Sequence, residues 1–494
     1  MCLFKNIWQQ IMDINPFKGD VLPSRVYLFE RGRPCLPFPH LLNYKTPLAL
    51  FDAFYTNAKS PDLFERDNRY LYVMGMPPVF ITRDPAVIRA VLLATGDKSG
   101  QFDRDTTPMT GIARVTGVNS LLYANGKVWR KQKQMSAGPF GKGSLFQPEE
   151  FHEFEKTFRK TIEKRLIVLR DAQKVSKKNI SRVEIEQEIQ PIMLEMLVNN
   201  FFGGSVDYKE LRERYVPALL SLIDYMITNT VAPNLSAIHQ FITGKGADVK
   251  RWREALEDLT DIALSGRGEK SGHWKNFIDK VEDEEALRSN IRVFLAGALE
   301  ATSSFATWTL SHLSRQPELQ EKIYNEVKDI DVYDPESLTE AKLLNQCLNE
   351  TLRLTPSLYF FPRKATADTW LKLDDTRKIM IPKNTTIRLD IWNANRNEAF
   401  WGKEVSGYPA DVFSPLRWDE LTRRGITRKN LTHFGFGLGA RVCPGQFLGQ
   451  LEVGLVVGAF IKVFKFKAVN NASGVRAGVT TKPGDGTLMD LELR

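Results

Sequence analysis

One long proline-free stretch constrains the fold of this chain more than any other feature. Residues 282–315 contain no proline, and the acidic run 282–285 suits the positive end of a helix dipole. Residues 291–306 are almost wholly apolar or small, so the middle of the helix is expected to be buried on most sides. A helix of ~30 residues is about 45 Å long and would cross the whole molecule before ending at Pro317.

The remaining patterns predict a mainly α protein with a minor β region. Helical patterns dominate residues 149–315, and residues 393–433 are expected to be irregular. Short strand patterns occur at 70–74, 78–81, 359–365, 379–381 and 386–389. No repeat or low-complexity linker divides the sequence. We therefore expect a lead-in over residues 1–40 and one domain over residues 41–494.

Composition and motif searches narrow the function. The net charge of +9 favours an acidic partner. The basic residues are interleaved with acids, so we expect no nucleic-acid partner. P-loop, HExxH and GxSxG motifs are absent, which argues against a P-loop nucleotidase, a zinc protease and a serine hydrolase.

Cysteine usage and the N-terminus bear on localisation. The four cysteines are scattered and form no CxxC pair, which fits a reducing compartment. Residues 1–20 lack an apolar run long enough for a signal sequence or for a membrane span of about 20 residues. They could form an amphipathic helix that lies on a membrane. We therefore expect a cytoplasmic protein, soluble or peripherally membrane-associated.

The strongest local signal is the segment 436–445, which contains a cysteine at the start of a helix. Three glycines and a proline make this segment a tight loop that another group can approach closely. Cys443 lies just before a helix expected to begin near Gln446, where backbone N–H groups and the helix dipole favour a thiolate. Arg441 adds a cation nearby. The alternative is that Cys443 is a small buried hydrophobic residue, as lone cysteines commonly are.

This segment resembles the haem-binding loop of the cytochrome P450 family, FxxGxRxCxG, and matches it at every defined position. The resemblance implies the cytochrome P450 fold, a triangular helical domain that sandwiches a haem, with heme b (iron protoporphyrin IX) as cofactor. It implies that Cys443 is the metal ligand, an axial thiolate that favours cleavage of a bound O–O bond. Arg441 would pair with a haem propionate, and Phe436 would pack beside the cysteine.

Further motifs agree with the resemblance in the order that the family requires. Glu350 and Arg353 fit the ExxR motif, whose side chains share a helix face. With Arg417 they resemble the family's Glu–Arg–Arg core triad, which is an element of the fold. Arg363 falls where the family has another propionate ligand. The alternative for Arg363 is an ordinary arginine of a strand.

Trp129 and Lys133 resemble the family's WxxxR helix, which runs along the haem. A lysine at this position keeps a contact with a propionate but loses bidentate geometry. Arg130 and Lys131 stand beside it in the sequence. These cations are either plain solvated charges or a basic patch that docks an acidic electron-transfer partner, such as a ferredoxin, a flavodoxin or a flavoprotein reductase.

The long helix departs from the family pattern of a small pair, a variable residue, an acid and a threonine. Counted back from the end of the helix, Gly297 and Ala298 form the small pair and Glu300 is the acid. Ala301 then stands where the threonine is usual. A second register, with Ala296 and Gly297 as the small pair, needs one extra residue in a helical bulge.

This departure matters because the activation of O₂ at haem consumes two protons, and a methyl group cannot relay a proton. Glu300 and Thr302 are the candidate catalytic residues, since Thr302 or a water held by Glu300 would take over the relay. A hydroxyl of the substrate could do so instead, or the oxidant could be a peroxide. The ordinary alternative for Thr302 is a hydroxyl bonded to its own i−4 carbonyl.

The resemblance as a whole implies a haem-thiolate monooxygenase that inserts one oxygen atom from O₂ into an apolar substrate, a lipid, a terpenoid or an aromatic compound. Because 51 residues follow Cys443, we expect the electrons to come from a separate protein. The alternatives are a peroxide-using or hydroperoxide-rearranging haem-thiolate enzyme and a haem-binding sensor without catalysis. The substrate is expected between the long helix, residues 102–122 and residues 359–361, under a lid over residues 207–246.

Overall fold

The computed structural model describes most of the chain from residue 79 onwards. The described residues are 18–19, 24–25, 29–30, 33–34, 68–71, 79–96, 100–106, 110–141, 148–175, 180–227, 237–265, 283–427 and 431–494. The amphipathic helix considered for the N-terminus lies outside them, as does most of the lead-in over residues 1–40.

Helices make up most of the described structure, as the sequence predicts. In chain order they are α1 (Pro85–Ala94), α2 (Thr110–Thr116), α3 (Gly126–Phe140), α4 (Pro148–Val175), α5 (Ile185–Glu195), α6 (Tyr208–Glu210), α7 (Val216–Ile227), α8 (Ala237–Thr243), α9 (Gly246–Ser265), α10 (Glu284–Gly297), α11 (Ser303–Leu313), α12 (Pro317–Val327), α13 (Pro335–Glu340), α14 (Lys342–Leu354), α15 (Ile391–Ala394), α16 (Glu398–Trp401), α17 (Lys403–Ser406), α18 (Arg417–Arg423) and α19 (Gln446–Val463). The stretch 393–433, expected to be irregular, contains α16, α17 and α18, which at four to seven residues are too short to show a helical period.

The minor β region consists of short strands. They are β1 (Lys18–Gly19), β2 (Ser24–Arg25), β3 (Phe29–Glu30), β4 (Arg33–Pro34), β5 (Asn68–Leu71), β6 (Val79–Thr82), β7 (Phe102–Arg104), β8 (Ser181–Glu184), β9 (Phe360–Ala365), β10 (Thr369–Lys372), β11 (Lys378–Ile381), β12 (Thr386–Asp390), β13 (Phe464–Ala468), β14 (Val475–Ala477), β15 (Thr481–Pro483) and β16 (Leu488–Leu493). The largest sheet has the order β2-β5-β6-β12-β9-β7, and β14 and β15 form a separate hairpin. In the large sheet, β9 pairs antiparallel with β7 and sets Arg363 opposite Arg104.

The predicted long helix is present from Glu284 to Leu313. Asp283 caps its N-terminus, with the carboxylate accepting the Ala286 N–H at 3.1 Å. Between α10 and α11, Ala298–Thr302 forms a π-helical turn, which accommodates one residue more than an α-helical turn. This is the bulge that the second register requires, so the structure favours Ala296 and Gly297 as the small pair.

A buried ionic triad holds the 393–433 stretch against α14. Arg353 donates from Nε and Nη2 to the two carboxylate oxygens of Glu350 at 3.0 and 2.8 Å, and Arg417 Nε donates to Glu350 Oε1 at 3.2 Å. The other guanidinium N–H groups donate to the backbone carbonyls of residues 395, 401, 408–410 and 412. The contact expected between these three residues is therefore present, and it satisfies carbonyls that have no helix or strand partner.

One described helix, α19, is long and apolar enough to cross a membrane. It packs against α11, α12 and α14, and 72% of its residues are buried within the protein. Its apolar composition is therefore accounted for by its place in the core.

Removal of the anion from the buried triad is expected to destabilise the fold strongly. Glu350→Gln leaves two buried guanidinium groups without a counter-charge, which costs about 3–5 kcal/mol of the free energy of unfolding. Urea unfolding followed by circular dichroism measures this loss. The control is Arg423→Gln, which breaks a pair whose arginine is 72% exposed and should unfold like wild type. Equal losses in the two variants would contradict the role of burial.

Candidate functional site

The loop that carries Cys443 is held by a short backbone hydrogen bond and left-handed glycines. The Cys443 N–H donates to the Phe436 carbonyl oxygen at 2.9 Å. Gly437 and Gly439 have φ angles of +76° and +73°, a region that favours glycine. A Cβ on Gly439 would lie 2.6 Å from the Leu92 carbonyl oxygen, so the same glycine lets α1 pack closely against the loop.

The sulfur of Cys443 lies in a setting that disfavours a free thiolate. The residue is half buried. Burial raises the pKa of its thiol to about 11, although the Gly445 N–H and the charge of Arg104 act in the opposite direction. A bound metal reverses this preference, because cysteine binds metals as the thiolate. Arg104, to which the sequence did not point, thus acts as a cation on the sulfur.

Arg441 reaches toward the start of α3. Its Nη2 donates to the Ala124 carbonyl oxygen at 2.8 Å and to Asn125 Oδ1 at 2.7 Å. Its guanidinium carbon lies 3.9 Å from the centroid of the Trp129 ring, a cation–π contact. Burial and the nearby charge of Arg104 lower the pKa of Arg441 to about 9. The structure therefore joins two residues that the sequence associates with one cofactor.

Arg363 and Arg104 face each other across neighbouring strands. Arg363 is buried and donates from Nε to Thr95 Oγ1 at 3.2 Å and from Nη1 to the Pro362 carbonyl oxygen at 2.8 Å. Burial, and then the charges of Arg104 and Arg441, lower the pKa of Arg363 well below its usual value. Burial also lowers the pKa of Arg104. The three arginines thus repel one another in a poorly solvated place.

This cation cluster, Arg104, Arg363 and Arg441, carries more positive charge than its contacts neutralise. Asp103 is the carboxylate that faces it, 3.5 Å from Arg441. The buried Nε atoms of Arg104 and Arg441 have no hydrogen-bond partner among the described residues. Uncompensated buried charge is costly, so the cluster fits a ligand that brings carboxylates of its own, as the two propionates of a haem would.

The donor set around the sulfur also fits a cofactor. Among the residues that the structure describes, no group of three or more His, Cys, Asp or Glu side chains could hold a metal ion. A cysteine without such a group around it can hold iron where a cofactor supplies the other donor atoms.

The long helix has accessible residues at its middle, which mark an opening beside the cysteine loop. Its middle residues are accessible although their neighbours are buried: Ala296, Gly297, Ala298, Ala301 and Thr302. A Cβ on Gly297 would meet no atom within 4 Å. The ring of Phe305 contacts the ring of Phe436 edge-on, with centroids 6.4 Å apart, and ties the helix to the loop beside this opening. We call the opening the cleft.

Lys133 lies at the same edge of the loop as Trp129. Its Nζ donates to the Ala440 carbonyl oxygen at 2.7 Å and lies 5.3 Å from the centroid of the Trp129 ring. Burial, and then the charge of Arg441, lower its pKa. Trp129, Lys133, Arg363 and Arg441, predicted from separate motifs, are therefore brought together. Sequence reasoning missed Arg104, which belongs to no motif and joins them only through the pairing of β7 with β9.

The two candidate catalytic residues of the long helix have different partners. Thr302 Oγ1 donates to the Ala298 carbonyl oxygen, its own i−4 acceptor, which is the ordinary arrangement for a helix threonine. Glu300 is buried, and its carboxylate accepts from Thr480 Oγ1 at 2.7 Å and from Lys482 Nζ at 3.0 Å. Among the described residues, the side chains of Glu300 and Thr302 therefore share no hydrogen-bond partner. Sequence reasoning missed Thr480 and Lys482, which lie far along the chain in no recognisable motif.

One expectation about the cleft is wrong. Tyr359 and Phe360 do not line open space, because they pack with Trp392 and Ala477 in a small core cluster. The third residue of that stretch, Phe361, is also buried but lies beside the cysteine loop, 3.8 Å from the position of a Cβ on Gly437. β9 is buried on both faces, and an aromatic run there fills the core as readily as it would line a cleft.

A cysteine on a tight loop, a cation cluster suited to two carboxylates and an accessible helix face are features that suit a haem-thiolate site. The model of the family Cytochrome P450 matches residues 38–476 of this chain. The protein therefore belongs to the cytochrome P450 family and is a haem-thiolate monooxygenase of the oxidoreductase class.

This chain is similar to three curated relatives, over shares that range from about half to about four fifths of its length. It is 24% identical over 438 residues to Cytochrome P450 4F5 of Rattus norvegicus, with 81% of this chain and 78% of the relative covered. It is 24% identical over 373 residues to a cytokinin hydroxylase of Arabidopsis thaliana, with coverage of 71% and 67%. An 11-oxo-beta-amyrin 30-oxidase of Medicago truncatula is 31% identical over 248 residues, with coverage of 49% and 45%.

Removal of one cation from the cluster is expected to act in opposite directions with and without haem. In the haem-free protein, Arg363→Leu relieves repulsion with Arg104 and Arg441, so the melting temperature should rise. In the holoprotein it removes a charge-assisted contact of about 1.5–3 kcal/mol, so haem transfer to excess apomyoglobin should be faster by about tenfold or more. Lys127→Gln, an exposed cation of α3, is the control. If Arg363→Leu destabilises both forms equally, the arginine is a structural residue of β9.

Proposed function

We propose that this monooxygenase carries heme b and inserts one oxygen atom from O₂ into an apolar small molecule, with electrons from a separate protein. The observation that carries the proposal is the cation cluster beside Cys443, which suits a cofactor with two carboxylates and one thiolate-bound iron. Residues 41–494 act as one catalytic domain in this proposal.

Each residue of the site has a part in holding the cofactor. Cys443 would ligate the iron, with its backbone held to the Phe436 carbonyl oxygen. Arg104, Arg363 and Arg441 would bind the propionates, with Trp129 and Lys133 at the same edge. Haem supplies O₂ binding and one-electron chemistry when it is bound, and the protein supplies position, charge and the exclusion of water.

The cleft supports an apolar substrate. The accessible side of the long helix presents methyl groups and a glycine at Ala296, Gly297, Ala298 and Ala301, and Thr302 donates its hydroxyl proton to a helix carbonyl. A wall of this kind offers contact area and few hydrogen bonds, as in most small-molecule sites. Lipids, terpenoids and aromatic compounds are therefore the substrates to test. The names of two relatives, a hydroxylase and a 30-oxidase, agree with oxygen insertion.

Ala301 is the observation that favours a second candidate function. Its methyl group cannot hold a proton, so proton handling on this side falls to the Glu300 carboxyl, the Thr302 hydroxyl or a hydroxyl of the substrate. An enzyme that uses a peroxide or rearranges a hydroperoxide starts from an existing O–O bond and depends less on such a relay. The two functions differ in the source of the inserted oxygen.

Isotope-labelled O₂ separates these functions. With a reductase system and an apolar substrate, the product should carry one labelled oxygen atom, and unlabelled peroxide should support little turnover. Ala301→Thr should raise the amount of product per electron pair, because it restores a hydroxyl. Cys443→Ser is the inactive control in the assays with the reductase system and in those with peroxide. Turnover with peroxide alone, and none with the reductase system, would select the second candidate.

The outer face of α3 supports an acidic electron-transfer partner. Lys127, Arg130 and Lys131 are exposed, whereas Trp129 and Gln132 of the same helix are buried. This face is the solvent side of the helix that also carries Trp129 and Lys133 to the cysteine loop. A ferredoxin, a flavodoxin or a flavoprotein reductase with an acidic docking face would therefore bind close to the cofactor.

Charge reversal on this face should weaken partner binding. Arg130→Glu with Lys131→Glu is expected to raise the KM for an acidic flavodoxin by about tenfold at low salt, with a smaller effect at high salt. Haem content and ligand-binding spectra should be unchanged. Arg423→Glu on α18 is the matched control. An unchanged KM in the α3 variant would remove this surface from the docking site.

In this proposal the protein is cytoplasmic, and the helix α8 supports a peripheral contact with a membrane. Ile238, Phe241 and Ile242 are 73%, 87% and 75% exposed and share one face of the helix at the i, i+3 and i+4 positions. Lys245 follows, half exposed, and suits the anionic head groups at a lipid surface.

Co-sedimentation with phosphatidylcholine–phosphatidylserine vesicles tests this contact. Phe241→Ser with Ile242→Ser should lower vesicle binding by about tenfold, because two exposed apolar side chains lose their burial in lipid. Val412→Ser, another exposed apolar residue, is the control and should bind like wild type. Equal binding by all three proteins would exclude α8 as the contact.

A further inference from the structure

A buried ionic chain links the π-helical turn of the long helix to the C-terminal hairpin. Lys482 Nζ of β15 lies 3.0 Å from Glu300 Oε1 and 3.6 Å from Glu186 Oε1. Arg476 of β14 donates to Glu186 Oε2 at 2.6 Å, and Thr480 Oγ1 donates to Glu300 Oε2 at 2.7 Å. These ion pairs thus extend from Arg476 at the surface, whose side chain is 56% exposed, to the carboxylate of Glu300 in the middle of the long helix.

Positive and negative side chains alternate along this series of ion pairs, so their charges balance. Lys482 stands between two carboxylates, and the side chains of Lys482, Glu300 and Glu186 are 11%, 9% and 7% exposed. Such groups are buried at a cost that pairing must offset. Without the ammonium group, the carboxylates of Glu300 and Glu186 would share a poorly solvated site with no cation between them.

The hairpin also holds the helix through side chains that lie just beyond the π-helical turn. Ser304 Oγ donates to the Thr481 carbonyl oxygen at 2.6 Å, and Trp308 Nε1 donates to the same oxygen at 3.2 Å. Ser357 Oγ donates to the Ala301 carbonyl oxygen at 2.9 Å, and Thr481 N donates to the Ser357 carbonyl oxygen at 2.9 Å. The position of Lys482 relative to Glu300 is therefore fixed by several bonds on both sides.

We propose that Lys482 is a positioning residue for Glu300. It fixes the orientation of the carboxyl group that stands next to Ala301, at the point where the usual hydroxyl is replaced by a methyl group. This inference rests on the proposed function, in which Glu300 handles protons for oxygen insertion. Loss of the ammonium group leaves the Thr480 hydroxyl as the donor to this carboxylate among the described residues, so electrons are consumed without a matching amount of product.

Coupling of electron use to product tests this role. Lys482→Met should lower the product formed per electron pair by about tenfold, a modest share of the effect of a positioned acid or base. Lys482→Arg, which keeps the charge, should restore most of it. Affinity for an apolar ligand, measured by spectral titration, should stay at the wild-type value in both variants. Arg182→Gln, which breaks an exposed pair with Asp490 on the sheet of β8 and β16, should couple like wild type.

A double-mutant cycle measures the interaction between Lys482 and Glu300 without any turnover of substrate. Lys482→Met, Glu300→Gln and the double variant are compared by urea unfolding of the haem-bound protein, and the double variant should lose clearly less stability than the sum of the single ones. If Lys482→Met does not retain haem, the double variant Lys482→Met with Glu186→Gln replaces it, because that variant removes one charge of each sign and should fold. Its product formed per electron pair should remain low.

The outcomes distinguish a failure of the proposal about Lys482 from a failure of the proposed function on which it rests. If wild type forms no product with a reductase system, the proposed function fails, whatever the cycle gives. If wild type is coupled and Lys482→Met is equally coupled, Lys482 does not position Glu300 and the inference is overturned. Additive stability losses in the cycle would overturn it as well.

Discussion

The site depends on the repulsion between three arginine side chains held close together in a place with little water. Among the residues that the structure describes, the carboxylate that faces Arg104, Arg363 and Arg441 is that of Asp103. The fold maintains this arrangement because the large sheet fixes Arg104 and Arg363 on paired strands, and contacts with the residues before α3 fix Arg441 of the cysteine loop. A cofactor that brings two carboxylates removes the cost, so cofactor binding and folding stability are coupled through these side chains.

Motifs in the sequence predict the parts of the site that lie close together along the chain. The cysteine loop, Trp129 with Lys133, and Glu350 with Arg353 each occupy one short segment. The long helix is predictable because its apolar run is continuous. The helical bulge appears in the sequence only as a choice between two registers. Arg104 and Lys482 could not be predicted, because Arg104 joins its partners through the pairing of two distant strands and Lys482 reaches Glu300 through the packing of the C-terminal hairpin against the long helix.

Packing between distant segments also explains where the structure differs from the sequence-based predictions. Tyr359 and Phe360 look like cleft residues because aromatic side chains are common in small-molecule sites, but the structure places them in the core. The structure adds Arg104 as a cation that acts on the sulfur, whereas the guanidinium group of Arg441 contacts Trp129 and the Ala124 carbonyl oxygen. In both cases long-range packing decides a choice that local sequence leaves open.

Ligation of the haem iron by the sulfur of Cys443 is the central claim, and the absorption spectrum of the reduced, CO-bound protein tests it most directly. Thiolate ligation predicts a Soret band shifted to the red of the band given by histidine-ligated haem, and loss of that band in Cys443→Ser under identical haem loading. A wild-type spectrum of the histidine type, or a red-shifted band that survives Cys443→Ser, would contradict it.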